Sequence, residues 1–459
     1  MVQRELFGKI TFYGAAGDVT GANFLIEING KRILVDCGLE QGIRAEENPE
    51  RNFGDFHYDP ASIDALIVTH AHTDHIGRIP KLVRDGFNGV IYSTPPTKEI
   101  SALMFDDALG LMEMEAEKKQ IPPMYGEIDI QKALGLWKVI SYHNPLDLGN
   151  DILVSFYDAG HVLGSAMAEF FYKGKSLLCT GDLGNTPTTL LKDTEVFTTP
   201  NFLLMESVYG DRNHPKHNRT EHLERVIEEV VQKGGTLIIP SFSLERTQEV
   251  LYELNNLIED GHVPKIPVYL DSPLATKITD IYRRSKDYFN PQAKKEIVEG
   301  DDIFQFSGLT ITESTDASKA IFQKPDPKII IAGSGMMNGG RVIHHARHYL
   351  SDPKTTLLLV GYQAVGTLGR IIQDGVNPVR ILGDEIDVKA TIDQITGFSG
   401  HKDSDQLVAF VTSIKKNLEQ VYVAMGDEKA SEFLAKRLRD NLAVHTETPK
   451  EGAVVELYL

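Results

Sequence analysis

The chain of 459 residues is too long for one ordinary hydrophobic core and predicts two or three domains' worth of structure. Its hydrophobic content is 41%, and no apolar run has the length of a membrane-spanning helix, so we expect no transmembrane segment. The net charge of −18 argues against a protein that coats nucleic acid through a broad basic surface, but not against an enzyme that holds nucleic acid in a cleft.

Two features of the sequence favour a reducing compartment. Cys37 and Cys179, the two cysteines, each end an apolar strand-like run, which predicts buried free thiols rather than a disulfide. The N-terminal segment MVQRELFGKITFYG lacks the apolar core of a secretory signal. We therefore expect a cytoplasmic protein.

The first part of the chain is β-rich. The apolar runs NFLIEI and KRILVDCG are joined by Asn29-Gly30, a pair that tolerates the positive φ angles of a hairpin turn. The run DALIVT predicts a buried strand, and IGRIPKLVRDG a helical segment that ends at a glycine. Residues 98–137 are mostly helical in pattern, and strands return in ILVSFYDAG, AMAEFFY and KSLLCTGDLG. This order predicts two packed sheets with helices outside.

From about Glu206 strands and helices alternate. Helical patterns such as RTEHLERVIEEVVQKG and RTQEVLYELNNLIEDG separate the strand-like runs TLIIPSF, PVYLDS, KIIIAG and TTLLLVGY, which predicts an α/β domain with a largely parallel sheet. Near residue 377 short strands return, followed by a helix after FSGHKDSD. We predict one domain formed by residues 1–208 and 377–459, interrupted by an inserted domain at 209–376.

The strongest chemical signal is a cluster of metal-binding side chains directly after DALIVT. It reads His70-Ala-His72-Thr-Asp74-His75 and precedes a helix. Zinc prefers imidazole nitrogen and carboxylate oxygen, and a loop at a strand end can direct such groups into one small volume. The alternative is a polar turn that is His-rich by chance, which the density of these residues makes improbable.

This cluster resembles the HxHxDH signature of the metallo-β-lactamase superfamily. The resemblance implies that His70, His72 and His161 (in DAGHVLGSA) hold one metal ion. It implies that Asp74 and His75 hold a second ion, with Asp182 (in CTGDLG) bridging the two. Asp36 in LVDCG matches the family aspartate that supports the metal loop from behind.

The inserted domain resembles the β-CASP domain of the nucleic-acid-processing branch. The matching stretches are ESVYGDRNH, PSFSLERTQEVLYEL, DSPLA, GSGMMNGGRVIHH and VGYQAVGTLGR, followed by GFSGHKDSD. The resemblance implies an α/β fold, a metallo-β-lactamase αββα sandwich with an inserted α/β β-CASP domain. Its nearest pattern is that of the short bacterial and archaeal β-CASP ribonucleases, which also resemble the nuclease subunit of the mRNA cleavage and polyadenylation machinery.

The implied activity is hydrolysis of single-stranded RNA by a metal-activated hydroxide. Two zinc ions lower the pKa of a bound water, and Asp74 orients that water or accepts its proton. The departing ribose oxygen needs a general acid, for which His401 is the candidate, with Glu206 raising its pKa. The glycine-rich turn with Ser334 and Gly335 is a candidate phosphate cradle, with Arg246 and Arg341 as candidate substrate-binding cations.

One position departs from the family pattern. The last metal ligand is a His in a VHGE-type stretch, and Met425 occupies that position here in VAMGDE. A thioether is a poor zinc ligand, so the second site is weakened and manganese becomes an alternative. Three readings follow: an active ribonuclease, a catalytically impaired relative that binds RNA or a partner, and a small-molecule ester or thioester hydrolase. A homodimer is expected from the resemblance.

Overall fold

The contacts of the computed structural model, which describes residues 5–196, 198–215 and 218–459, divide the chain into two units. The first, called here the sandwich unit, consists of Met1–Asn213 and His401–Leu459. The second, called here the inserted unit, is His214–Gly400. Residues 1–4 of the N-terminal segment considered above lie outside the described residues.

The first sheet of the sandwich unit is built around the predicted hairpin. Asn29 and Gly30 both have positive φ, 44° and 81°, and Phe24 lies opposite Val35 across the antiparallel pair, so the hairpin prediction is confirmed. In spatial order the strands of this sheet are Val454–Tyr458, Leu6–Gly14, Asn23–Ile28, Lys31–Val35, Ala65–Ile67, Val90–Ser93 and Trp137–Val139.

The second sheet contains strands from both parts of the interrupted unit. Gln420–Val423 pairs in parallel with Phe202–Met205, which brings the C-terminal part of the chain back beside the first part. In spatial order the strands are Thr446–Glu447, Gln420–Val423, Phe202–Met205, Lys175–Cys179, Ala166–Tyr172, Leu153–Asp158 and Leu146–Asp147.

The core lies between these two sheets, and helices cover the outside. Phe24 and Ile26 of the first sheet pack in one cluster with Phe156 and Phe170 of the second. Alternate residues of the second sheet, such as Tyr157, face the other way and pack against the helices near the C-terminus. Because the strands of the second sheet are buried on both faces, they appear in the sequence as continuous apolar runs. The αββα sandwich is confirmed.

The helices of the sandwich unit cover a wide range of lengths. They are Ile43–Glu47, Glu50–Phe53, Thr73–Ile76, Ile79–Arg84, Pro95–Lys119, Glu127–Leu136, Ser404–Ile414 and Glu428–Leu442, with 3₁₀ turns at Pro60–Ser62 and Lys415–Asn417.

The inserted unit has a parallel sheet, as the alternating pattern predicted. Its strands are, in spatial order, Leu309–Ile311, Val268–Asp271, Lys328–Ala332, Thr236–Pro240, Thr356–Leu359 and Thr391–Gln394. A separate antiparallel pair joins Val379–Ile381 to Asp384–Ile386. The helices are Arg219–Lys233, Arg246–Glu259, Pro273–Arg284, Pro291–Glu299, Thr315–Ala320, Val342–Tyr349 and Leu368–Gln373, with 3₁₀ turns at Lys286–Tyr288, Ile321–Gln323 and Thr396–Phe398.

The end of the inserted unit lies later in the chain than the sequence pattern placed it. The prediction returned the chain to the first domain at residue 377. In the structure Thr391–Gln394 pairs in parallel with Thr356–Leu359, so the inserted unit extends to Gly400. Short strands look alike in sequence whichever sheet they join, because hydrogen bonding between strands leaves no local pattern.

Two simpler expectations can be compared with the structure directly. Cys37 and Cys179 are free and buried, as predicted. Among the described residues, no helix has both the length and the apolar character that crossing a membrane requires.

Candidate metal centre

The metal loop is fixed by the strand before it and by backbone contacts around it. Ala65–Ile67 is fully buried, and a short helix, Thr73–Ile76, begins within the loop. The amide of Ala22 donates to the carbonyl of Asp74 at 2.9 Å, and the amide of Cys37 donates to that of His75 at 2.8 Å. A Cβ at Gly38 would lie 1.5 Å from the Asp74 carbonyl oxygen, so only glycine allows this approach.

Asp36 orients His75 from behind the loop. Its buried carboxylate accepts hydrogen bonds from the backbone and side chain of Thr69, both at 2.8 Å, and lies 2.7 Å from Nδ1 of His75. The other ring nitrogen of His75 then faces Asp182, with Nε2 3.5 Å from Oδ1. Asp36 thus lies where it can orient a ring of the loop, and the supporting role that the resemblance implied for it stays a prediction.

His161 and Asp182 come from separate loops of the second sheet and converge on the metal loop. His161 follows Leu153–Asp158, and Asp182 follows Lys175–Cys179. Nδ1 of His72 lies 3.1 Å from Nε2 of His70 and 3.2 Å from Nε2 of His161. Oδ2 of Asp182 lies 3.4 Å from Nε2 of His70 and 3.5 Å from Nε2 of His161.

These four ligand atoms fit a metal ion. A tetrahedral ion with bonds of about 2.0–2.1 Å requires ligand atoms about 3.3–3.4 Å apart, close to the separations found here. Burial lowers the pKa values of His70 and His72 well below the ordinary value for histidine. Both rings therefore stay in the neutral form that binds metal. The donor set of three imidazoles and one carboxylate is therefore suited to a divalent cation of the zinc type.

Asp74 and His75 are not part of this close group. The groups of three or more ligand atoms within 4.8 Å of one another, among the described residues, are His70 with His72, His161 and Asp182, and Asp182 with Glu206 and His401. Asp74 lies near enough to Asp182 for that carboxylate to raise its pKa, although burial raises it more. The two residues predicted to hold the second ion thus face the centre without closing a site by themselves.

His401 and Glu206 form a pair at the edge of the centre. Nδ1 of His401 lies 3.3 Å from Oε1 of Glu206 and 4.0 Å from Oδ2 of Asp182. The fully buried Glu206 also accepts a hydrogen bond from the amide of Leu183 at 2.5 Å. Burial alone would lower the pKa of His401, but the carboxylates of Glu206 and Asp182 raise it to about 9. Both carboxylates thus favour the protonated form of the imidazole.

Comparisons with known proteins bear on the whole chain. The Metallo-beta-lactamase superfamily model matches residues 16–216, the Beta-Casp domain model 247–372, and a model described as a Zn-dependent metallo-hydrolase RNA specificity domain 385–449. A protein named Ribonuclease TTHA0252, from Thermus thermophilus, is 38% identical over 433 residues, which span 94% of this chain and 96% of that one. The chain belongs to the β-CASP family of the metallo-β-lactamase superfamily.

Other relatives also align with nearly the whole chain. Transcription termination factor FttA of Methanosarcina mazei is 33% identical over 460 residues, covering 96% of this chain and 70% of its own. An RNase J-like protein of Methanocaldococcus jannaschii is 31% identical, covering 98% and 99%. A crystal structure of a protein of unknown function from Enterococcus faecalis V583 aligns with a TM-score of 0.57 at 13% identity, over 98% of this chain and 100% of that one, and shows the fold alone.

In this β-CASP protein Met425 is part of the hydrophobic core. Its side chain is 1% exposed and packs in the cluster between the two sheets with Ala15 and Tyr422. Its amide donates to the carbonyl of Ala15 at 2.7 Å, and its φ is 48°, a left-handed conformation that suits His, Asn and Asp better than Met. The position at which the family has its last metal-ligand His is thus occupied by an apolar side chain that is buried in the core.

The candidate substrate-binding arginines of the β-CASP unit have internal partners. Nη1 of Arg341 donates to Oδ1 of Asp271 at 2.6 Å, and Nη2 donates to the carbonyl of Glu313 at 2.7 Å. Arg246 is 7% exposed and pairs with Glu249. Both charges are therefore offset within the unit, and phosphate binding by these arginines stays a prediction.

The glycine-rich turn of the same unit keeps one donor without a partner. The hydroxyl oxygen of Ser334 is buried and has no hydrogen-bond partner in the described part of the chain. A Cβ at Gly335 would lie 2.7 Å from the ring of Phe242, so a larger residue at this position requires that ring to move. Ser334 remains the better candidate of the turn for contact with a phosphate oxygen.

Sequence reasoning missed two residues that hold the centre together. The hydroxyl of Thr69 lies 2.8 Å from Asp36 and 3.0 Å from Nδ1 of His70, and its place directly before the motif is a signal that could have revealed it. The buried Nζ of Lys402 donates to the carbonyl of Gly184 and to the hydroxyl of Thr186, both at 2.8 Å. Lys402 thereby links the loop of Asp182 to the segment of His401.

Proposed function

We propose that this protein is a metal-dependent ribonuclease that hydrolyses phosphodiester bonds in single-stranded RNA. The observation that carries the proposal is the close group of three imidazole nitrogens and one carboxylate oxygen beside the His401–Glu206 pair. An ion bound there supplies Lewis-acid chemistry, lowering the pKa of water and offsetting charge on phosphate oxygens. We propose zinc from the donor set, with manganese as the alternative.

The residues of the chain have separate roles in the proposed reaction. His70, His72, His161 and Asp182 hold the ion, while Asp74 orients the attacking water or accepts its proton. His401 donates a proton to the departing ribose oxygen. Because Nδ1 of His401 faces Glu206, its Nε2 is the atom that would deliver this proton.

The proposed substrate is RNA for reasons that go beyond the centre. Of the relatives that cover most of this chain, one is named a ribonuclease and another an RNase J-like protein, and the model that matches 385–449 is described as an RNA specificity domain. The match to a β-CASP domain favours nucleic acid over a small ester or thioester. The hydroxyl of Ser334, in the turn with Gly335 and without a partner among the described residues, is the proposed phosphate contact in the inserted unit. Arg246 and Arg341 remain secondary candidates. The cytoplasmic location and the homodimer stay predictions from the sequence.

The purified protein is expected to cut single-stranded RNA in a metal-dependent way. A 5′-labelled RNA incubated with Zn²⁺ or Mn²⁺ should yield fragments with 5′-phosphate and 3′-hydroxyl ends, because water attacks phosphorus and the 3′ oxygen departs. Excess EDTA should stop cleavage, and added metal should restore it. Cleavage that persists after the metal has been removed would contradict the proposal, as would fragments that end in a 2′,3′-cyclic phosphate.

The burial of Met425 favours a second candidate function, a relative that binds RNA but cuts it poorly. With an apolar side chain at this position, Asp74 and His75 lack the neutral nitrogen that the family supplies. An ion between them and Asp182 would rely on carboxylates, one imidazole and water. Such a site binds metal more weakly and exchanges it more readily.

Met425→His is expected to add metal and to increase the cleavage rate at limiting metal concentration. The left-handed φ of 48° accommodates His, and one more ligand should raise affinity at the second site by about tenfold or more. Metal content is measured by mass spectrometry and cleavage with labelled RNA. Met425→Leu, which keeps an apolar side chain, is the matched control. If the parent cuts no RNA and Met425→His does, the parent is the impaired binder; if the parent cuts as fast, the missing ligand is compensated.

A further inference from the structure

A shallow, open surface groove on the sandwich unit lies outside the metal centre. It has a volume of about 480 Å³, and its walls include Lys429, Glu432, Phe433, Lys436, Arg439 and Thr448. Most of these residues belong to the helix Glu428–Leu442. We call it the Phe433 groove.

The charge of the Phe433 groove is opposite to that of the chain. Among the residues that line the groove, Lys429, Lys436 and Arg439 bring three positive charges against the one carboxylate of Glu432, whereas the whole chain carries −18. The side chain of Lys429 is 86% exposed, and its Nζ lies 3.8 Å from Oδ2 of Asp211. In an acidic protein such a surface is suited to an anionic ligand.

An exposed aromatic ring lies between these positive charges. Phe433 is 47% exposed, whereas Leu434 and Leu438 of the same helix are fully buried against the second sheet. Lys429, Phe433 and Lys436 follow a spacing of four and three residues, which places them on one outward face of the helix. Protein surfaces that bind single-stranded nucleic acid combine an aromatic ring with nearby cations. A base stacks on the ring, and the backbone phosphates lie near the cations.

The groove also begins close in the chain to the metal centre. Its helix starts three residues after Met425, whose carbonyl accepts a hydrogen bond from the amide of Ser207 at 3.3 Å, next to Glu206. From Lys429 to Arg439 the helix rises about 15 Å. That length accommodates about four nucleotides of a stacked strand, at about 3.4 Å each.

We propose that the Phe433 groove binds the part of a single-stranded RNA that flanks the bond to be cut. A base stacks on Phe433, and backbone phosphates lie near Lys429 and Lys436. This inference rests on the proposed function for the identity of the ligand. The groove would increase the affinity of the protein for long RNA, and the metal centre would cut the bond.

The test compares RNA binding with cleavage in matched variants. Lys429→Glu/Lys436→Glu is compared with Lys415→Glu/Lys416→Glu, which changes the net charge equally at exposed lysines elsewhere in the unit. Phe433→Ala is compared with Phe53→Ala, an aromatic residue that is 41% exposed. Binding is measured by fluorescence anisotropy with labelled RNAs of about 30 and about 8 nucleotides, in a His401→Ala background so that no substrate is consumed.

Both groove variants are expected to bind the long RNA about tenfold more weakly than their controls, with little change for the short RNA. The double lysine variant should also lower the slope of log affinity against log salt by about 1.4, because two phosphate contacts are lost. Melting temperatures check that each variant folds. Equal affinity and salt slope in groove and control variants overturn the inference. Wild-type protein that cuts neither RNA while the groove variants still bind more weakly overturns the proposed ribonuclease activity alone.

Discussion

Asp182→Asn is expected to lower the rate of RNA cleavage by about a thousandfold or more and to deplete the purified protein of metal. Oδ2 of Asp182 completes the close group, at 3.4 Å from His70 and 3.5 Å from His161, and Oδ1 faces His75 at 3.5 Å. An amide keeps the shape of the side chain but removes its charge, and several kcal/mol of transition-state stabilisation depend on the bound metal. Metal content by mass spectrometry and single-turnover cleavage measure the two effects.

The control for this substitution is Asp106→Asn, a change of the same chemical type at an exposed position of Pro95–Lys119. It should leave both metal content and cleavage unchanged. Circular dichroism shows whether each variant keeps its fold. An Asp182→Asn protein that retains its metal and cuts at the parent rate would remove Asp182 from the centre.

His401→Ala is expected to slow cleavage by about 10²- to 10⁴-fold while leaving metal content unchanged. His401 lies outside the close group of four ligand atoms, and the carboxylate of Glu206 raises its pKa and so favours the protonated form. A sharper readout uses RNA with sulfur at the 3′ bridging position of the scissile bond. A thiolate departs without a proton, so this substrate should be cut at similar rates by the variant and the parent. His445→Ala, at an exposed position, is the control.

The pH profile separates the role of Glu206 from that of His401. An acid with a raised pKa acts below that pKa and is lost as the pH rises through it, so parental cleavage should fall above about pH 9. Glu206→Gln removes a carboxylate that raises the pKa of His401, so its alkaline limb should move to lower pH. If the limb stays at the same pH in Glu206→Gln, the coupling between the two residues is absent. If the bridging-sulfur substrate fails to rescue His401→Ala, His401 is not the general acid.

The sequence by itself determined the local features of this protein and pointed to a candidate metal centre. The Asn29-Gly30 turn could be predicted because few residue types adopt the positive φ angles that it requires. The order of sheets and helices followed from apolar runs of strand and helix length. The predicted metal loop could be recognised because its candidate ligands are neighbours in the chain. His161, Asp182 and His401 lie far from that loop in sequence, and only resemblance to a family connected them with it.

The tertiary structure decided what depends on contacts between distant segments. Thr391–Gln394 joins the sheet of the inserted unit, a matter of hydrogen bonding that no local pattern records. Arg341 carries the charge expected of a phosphate ligand, but Asp271 engages it inside the unit. In the sequence, Met425 indicated that a metal ligand is missing. In the structure, its side chain lies in the core between the two sheets. Composition and periodicity indicate whether a single segment forms a helix or a strand. The contacts of its side chains depend on which other segments pack against it.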